Sequence, residues 1–291
     1  MTGLTAISGA SGHIGGQVAR MLSGTGLSTR LLSRDPDRIP PLPAAVPVRA
    51  DFADPASVRA ALTGVQTFLF VSATESADRA AQQIAVVETA RRAGVERIVY
   101  LSFVGAAPEC TFTFGRDHWH TEQAIRASGM DFTFLRDNQY QDLIPLLADE
   151  NGVIRGPAAD GAVAAVTRSD VAAAAAAVLT GYGHCTMTYD LTGPRAFTLT
   201  EAAEMMTAAH GRQYTYVRES ISEAYASRSK YAAPQWELDG WVSSYTAIAT
   251  GELETVTDSI EQITGHPATD FRDFLTEPPP HETRRHSAKV I

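Results

Sequence analysis

The sequence predicts an α/β fold, a doubly wound parallel sheet joined to a smaller, mostly C-terminal α+β region. Three observations predict it. Short apolar runs alternate with helical patterns through the first half, as in successive right-handed βαβ units. The runs, such as TFLFVS at 67–72 and RIVYLS at 97–102, are apolar almost throughout, as parallel strands covered on both faces are. Between the first run and the first helix, in AISGASGHIGGQVARMLSG, Gly9, Gly12 and Gly15 fall at three-residue intervals.

Taken in order, Leu4 to Ser8 reads as the first strand and Gly15 to Ser23 as its helix, with Val18, Ala19, Met21 and Leu22 on its apolar run. Ser28 to Ser33 is the second strand and Val46 to Ala50 a short third. Asp54 is the expected N-cap of a helix over Pro55 to Leu62, with proline at the tolerated first position. Thr67 to Ser72 is the fourth strand, followed by a helix from Ala77 to Ala93 that Gly94 stops. Arg97 to Ser102, a helix over Arg116 to Ser128, and Asp131 to Leu135 complete the alternation.

The second half is less regular. SDVAAAAAAVLT, within Thr167 to Thr180, predicts a helix capped by Ser169 or Asp170 and packed closely through its alanines. Thr198 and Glu201 form a capping box for a helix ending near Gly211. Tyr225, Tyr231, Trp236, Trp241 and Tyr245 crowd the next stretch, either as the core of a small cap domain or as a wall of a cleft. From Pro278 onward apolar periodicity is lost, as expected of a mobile tail over 278–291.

Composition sets the class. The 291 residues are 44% hydrophobic and 20% charged, enough for one large domain or one and a half. A formal net charge of −9 argues against a broad electrostatic grip on nucleic acid. Cys110 and Cys185 are too few for a disulfide framework and are expected as buried small residues in a reducing compartment. The sequence enters its first strand without a basic leader, and its apolar runs fall short of a membrane span. A cytoplasmic protein, monomer or homodimer, is expected.

Glycines between a strand and a helix have a physical task. One makes the tight turn, one lets the backbone approach a pyrophosphate, and one lets helix and strand pack closely; the helix N-terminus attracts the phosphates. With a strand before and a helix after, the pattern predicts a Rossmann-type dinucleotide site at Gly9, Ser11, Gly12, His13, Ile14 and Gly15. The second strand should end on the residue that reads the adenosine ribose. In LLSRDPDR, Ser33 and Arg34 stand where NAD-binding chains carry an acid, which favours NADP(H). Asp35, one residue later, is the alternative reader, or simply a turn former before Pro36. Asp51 and Phe52 follow the third strand and are expected against the adenine edge, and Asp51 alternatively forms a turn. Val71, Ser72 and Ala73 end the fourth strand, where it would pass the cofactor ribose. Ser102 ends the fifth, where doubly wound sheets place ligands, and alternatively caps a turn. The expected domains are a nucleotide-binding domain over 1–140, completed by about 160–182, and a mostly substrate-binding cap over 141–277.

The chain resembles the NmrA-like branch of the atypical short-chain dehydrogenase/reductases, above all their bacterial NAD(P)H:quinone oxidoreductase type 2 members. The resemblance runs from about Leu4 to Leu275. It is carried by GASGHIG, SRDP, ADFADPASVRAALTGVQTFLFVS, AGVERIVYLSFVGA, TEQAIRASGMDFTFLRDNQY, TRSDVAAAAAAVL, YDLTGPRAFTLTEAAEMM and ITGHPATDFRDFL. It implies NADPH in the Rossmann domain and a substrate beneath the cap. It also implies an oxidoreductase passing hydride to a quinone or another conjugated carbonyl compound. A tailoring ketone reductase and a non-catalytic NADP(H)-sensing regulator are the alternatives.

The departure lies in FGRDHWHTE. Relatives with a tyrosine–lysine pair read roughly Tyr-Gly-x-x-Lys, with an acid four residues on; here Phe114, His118 and Glu122 hold those positions. Phenylalanine cannot protonate a reduced carbonyl oxygen, so an alcohol dehydrogenase mechanism is not expected. His118 is the candidate catalytic residue, binding the nicotinamide ribose or donating to the acceptor, and is alternatively a partly exposed helix histidine. Phe114, His118 and Tyr140 are the expected substrate contacts. By the same resemblance LRDNQYQD runs along the nicotinamide end, and is alternatively an ordinary crossover loop. Asn138 and Gln139 would orient the carboxamide or acceptor there, and Tyr140 would stack or donate.

Overall fold

The computed structural model describes residues 3–276; the expected tail over 278–291 lies outside the described residues. The first half runs β1 (Thr5–Ile7), α1 (His13–Leu22), β2 (Thr29–Ser33), β3 (Ala45–Arg49), α2 (Pro55–Leu62), β4 (Thr67–Phe70), α3 (Arg79–Arg92), β5 (Arg97–Phe103), α4 (Thr113–Ala127) and β6 (Asp131–Asp137). The second adds β7 (Val153–Gly156), β8 (Ala162–Val163), α5 (Arg168–Thr180), β9 (Met187–Leu191), β10 (Phe197–Thr198), α6 (Leu199–His210), β11 (Thr215–Arg218), α7 (Ile221–Arg228), α8 (Gln235–Ala249), α9 (Ser259–Thr264) and α10 (Phe271–Thr276).

The main sheet has the order β3-β2-β1-β4-β5-β6-β9, and every pairing in it is parallel. Strand order reverses between β1 and β4, which opens a crevice at their carboxyl ends. Successive strand residues enter different cores. Ile7, Leu31, Leu69, Val99 and Leu135 pack with α1 and α5, while Ala6, Leu32, Phe68, Ile98 and Phe134 pack with residues of α2 and α3. Burial on both faces is why these strands read as unbroken apolar runs. Asp54 caps α2 as expected, accepting from the amides of Ala56 and Ser57. A third core, with Ile144, Ile154, Val163, Phe197, Met206, Tyr245 and Phe271, holds the two small sheets, β10–β8 and β11–β7, to α6, α8 and α10.

Three expectations change. The α5 cap is Thr167, whose hydroxyl accepts the Asp170 amide at 3.0 Å, and neither Ser169 nor Asp170. Asp170 instead accepts from the backbone and hydroxyl of Thr269, tying α5 to the last part of the chain. The sheet also takes its seventh strand, β9, from beyond the expected limit at 182. Met187 and Thr188 are exposed, so that strand lacks the apolar run that marked the others. Cys185 is exposed and Cys110 alone is buried. Among the described residues, no helix is long and apolar enough to cross a membrane.

Candidate active site

The turn after β1 is built for close approach. Gly9 takes φ +62°, and its carbonyl accepts the Gly12 amide at 2.8 Å. A Cβ on Gly15 would stand 2.5 Å from the Gly9 carbonyl oxygen and 2.6 Å from that of Ser8, so α1 lies this near β1 only because a side chain is missing. Gly12, the N-cap of α1, offers no capping side chain, and the first turn carries no acid. The positive end of the helix therefore carries neither a capping side chain nor a first-turn acid of its own.

From this turn a groove of about 650 Å³ runs along the carboxyl ends of the strands. Of the predicted residues, Gly9, Ser11, Gly12, Ser33, Arg34, Asp51, Phe52, Val71, Ser72 and Ala73 line it. His13, Ile14 and Gly15 do not: they form the first turn of α1, with Ile14 in the core and Gly15 serving helix–strand contact. Ser33 is buried, 3.0 Å from the Ser11 hydroxyl, and fastens the end of β2 to the glycine turn. Arg34 is exposed in the groove wall; Asp35 heads the short 3-10 turn Pro36–Arg38 and does not line the groove. Asp51 both lines the groove and forms a turn, accepting the Ala53 amide at 3.0 Å. Phe52 stands edge-on to Phe70 at 5.4 Å.

At Ala73 the groove wall connects to a buried polar relay. The Ala73 amide donates to Gln83 Oε1 at 3.0 Å, and Gln83 Nε2 donates to Thr121 Oγ1 at 3.0 Å. Beside them the Tyr100 hydroxyl meets His118 Nδ1 at 3.0 Å. His118 is therefore no partly exposed helix histidine: it is buried in α4 and lines neither this groove nor the cavity described next. Burial, with the charges of Arg79 and Arg136 nearby, holds its pKa well below the ordinary histidine value. At neutral pH it is an uncharged imidazole. Glu122 is buried too, accepting two hydrogen bonds from Arg136 at 2.8 and 2.7 Å and one from Ser102 at 2.6 Å. Ser102 is thus enclosed and lines neither the groove nor the cavity described next.

A second cavity, about 340 Å³, has Phe112, Phe114, Tyr140, Trp241 and Tyr245 in its walls, with Gln139, Glu75 and Arg168. Glu75 lines both spaces, so groove and cavity meet there. Phe114 is held from behind: Arg79 Nη2 donates to its carbonyl at 2.8 Å and the guanidinium lies 5.5 Å from its ring centre. Arg79 is itself buried and pairs with Asp117 at 3.0 Å. On the other side α8 touches the ring at Gly240, where a Cβ would come within 2.2 Å.

The loop after β6 divides its predicted residues. Gln139 and Tyr140 reach the cavity; Asn138 does not. The Asn138 amide is buried, donating to the Leu253 carbonyl at 3.0 Å and accepting its neighbour's amide, which leaves it a clasp between the two halves of the chain. The Tyr140 hydroxyl donates to the buried Asp137 carboxylate, and the Arg168 guanidinium lies 5.1 Å from the Tyr140 ring centre. Burial pushes Asp137 up to about 7, against the opposing pull of the Tyr140 hydrogen bond and of Arg168 and Arg79. Asp137, Arg168, Arg79, Gln83 and Gly240 were not singled out from the sequence. Gly240 alone carried a signal, as a glycine set within an aromatic helical pattern.

Among known proteins, residues 9–181 match the family model described as NAD(P)H-binding. Quinone oxidoreductase 2 of Escherichia coli (strain K12) is 33% identical over 280 residues, 94% of this chain and 98% of that relative. An NAD(P)H azoreductase of Xenophilus azovorans is 30% identical over 271 residues, 91% of this chain and 94% of its own. The crystal structure of the NADPH-dependent quinone oxidoreductase of Escherichia coli complexed with NADPH matches with a TM-score of 0.85 at 30% identity, covering 94% of this chain and 98% of that one.

Proposed function

The chain belongs to the NAD(P)H-binding family, among its NmrA-like short-chain dehydrogenase/reductases, and on that premise we propose that it reduces quinones or other flat conjugated carbonyl compounds with NADPH. It is an NAD(P)H-dependent reductase; the acceptor is the proposed part. One observation carries it. An aromatic cavity of about 340 Å³ joins the nucleotide groove at Glu75 and has Phe114 in its wall, the position that by resemblance holds a proton-donating tyrosine in relatives with the tyrosine–lysine pair.

The groove's chemistry fits an NADP(H) molecule: a glycine cradle at a helix N-terminus for the phosphates, and a cation at the end of β2. In this reading Gly9, Ser11 and Gly12 hold the pyrophosphate, Arg34 the 2′-phosphate, Asp51 and Phe52 the adenine, and Val71 to Ala73 the ribose. Gln139 faces the nicotinamide end. The cofactor, when bound, supplies the hydride. Phe114, Trp241 and Tyr245 orient a flat acceptor by ring contact and exclude water around it. A quinone that has received a hydride becomes a hydroquinone anion, whose oxygen needs a far weaker acid than an alkoxide does. The loss of the tyrosine is therefore tolerable for this acceptor class. His118, neutral and tied to Tyr100, serves as a positioning group near the relay that starts at Ala73.

Steady-state NADPH oxidation with benzoquinones, naphthoquinones and aliphatic ketones of similar size tests the reading. Quinones should turn over and aliphatic ketones should not. The second reading, an NADP(H) sensor, draws on the same Phe114. Tight NADPH binding without turnover of any acceptor would support it instead.

A further inference from the structure

Resting on the reductase reading, we propose that Tyr140 delivers the proton to the reduced acceptor's oxygen, with Asp137 behind it as proton source and Arg168 beside it as counter-charge. The placement of these three groups carries the proposal. Tyr140 and Arg168 share a wall of the acceptor cavity, and Asp137, buried and outside that lining, accepts the hydrogen bond of the Tyr140 hydroxyl. Three other polar residues of that wall have contacts of their own, while Gln139 and Trp241 complete its polar lining. The Ser244 hydroxyl donates to the Trp241 carbonyl at 2.8 Å, Tyr245 stacks beneath Arg228, and Glu75 is a carboxylate 3.7 Å from Arg79. Arg168 lines the cavity and its guanidinium lies against the Tyr140 ring, so a positive charge stands beside the phenol that would face a forming oxyanion.

The hydrogen bond sets the direction of proton flow. When Asp137 is ionised, the phenolic hydrogen points into the carboxylate and is withheld from the cavity. When Asp137 is protonated, its own O–H donates to the phenol oxygen, and the phenolic hydrogen turns to the acceptor. The acceptor gains two electrons and one hydrogen with the hydride. An O–H bond then forms between its oxygen and the Tyr140 proton as the Tyr140 O–H bond breaks. The Asp137 O–H bond breaks in turn to restore the phenol, and the carboxylate regains a proton from water after product leaves. One solvent proton is consumed per hydride, as quinone-to-hydroquinone reduction requires.

The surroundings place this exchange near neutrality. Asp137 is raised to about 7, chiefly by burial, and Tyr140 is raised well above an ordinary phenol by burial and the adjacent carboxylate. The groups facing the pair are Arg168 from α5, Arg79 from α3 and Asp142 from the 3-10 turn Gln141–Leu147; Phe103 and Leu191, the strand partners of Asp137, carry no charge. Asp142 also accepts the Arg168 amide at 3.0 Å, which fixes the start of α5 against this loop.

Three measurements test the proposal. In wild type, kcat for a quinone should fall as pH rises through about 7, with a solvent isotope effect on the same limb. Tyr140→Phe should lose about 10²-fold in kcat, within the usual range for general acids, with NADPH affinity unchanged. Asp137→Asn, close in shape and able to donate to the phenol but not to pass on a proton, should slow turnover and flatten the pH profile. Independently of turnover, difference infrared spectra of wild type without cofactor should show a protonated carboxyl band that titrates near pH 7 and is missing in Asp137→Asn. A band titrating in the ordinary aspartate range, or a Tyr140→Phe enzyme as fast as wild type, overturns the proposal and leaves the reductase reading standing. Absence of turnover with every quinone overturns both.

Discussion

Replacing Arg34 with alanine asks the nucleotide groove which cofactor it was built for. Arg34 stands exposed in the groove wall at the end of β2, while Asp35 does not line the groove. A hydrogen bond from a charged donor contributes roughly 1.5–3 kcal/mol, or about ten- to a hundredfold in affinity. Solvent at an exposed guanidinium screens the pair and moves the figure toward the lower end. Arg34→Ala should therefore weaken NADPH about tenfold, while NADH, which lacks the 2′-phosphate, changes by less than about twofold. The difference should shrink as salt rises. Titrating cofactor into wild type and variant, followed by nicotinamide fluorescence or calorimetry, reads it. Equal losses for both cofactors would refute the argument, as would a wild type that binds NADH as well as NADPH. The second result would give the ribose-reading role to Asp35.

Four further variants probe the rest of the site. His118→Ala should slow quinone reduction on the order of tenfold and leave it measurable in steady-state assays, because an uncharged buried imidazole positions without donating. The depressed pKa of His118 also means that unfolding takes up a proton below about pH 6.5. Its contribution to stability is present above that pH and lost as pH falls, so urea unfolding of His118→Phe should show a flatter decline between about pH 6.5 and 5. Restoring the pair with Phe114→Tyr and His118→Lys should bring little gain on quinones in steady-state assays; a large gain would mean that proton delivery from that corner limits the rate. Gly15→Ala drives a methyl to 2.5 Å from the Gly9 carbonyl oxygen and should cost about 1–3 kcal/mol in urea unfolding, with weaker NADPH binding.

The nucleotide half was legible because its determinants are local. Parallel strands buried on both faces write themselves as apolar runs, and a glycine turn between strand and helix has few other uses. Arg34 and Asp35 are adjacent, and only the fold decides which side chain enters the groove. The acceptor side was less legible because its contacts are distant in sequence. Asn138 looked available, but its amide meets Leu253, 115 positions on. The type and spacing of His118 were visible, whereas its burial under Tyr100 comes from packing α4 on β5. The strand β9 escaped notice because exposed Met187 and Thr188 break the apolar pattern. Asp137 passed unremarked within LRDNQYQD, because its significance rests on what covers it.

The central claim is that hydride passes from NADPH to a flat conjugated acceptor in the cavity beside Phe114. Single-turnover mixing of the NADPH-loaded protein with a naphthoquinone, using both stereospecifically 4-deuterated cofactors, tests it most directly. Cofactor oxidation and hydroquinone formation should rise together at one rate, and one of the two labels alone should slow both with a primary isotope effect. Cofactor that stays bound and reduced while the quinone is untouched would contradict it.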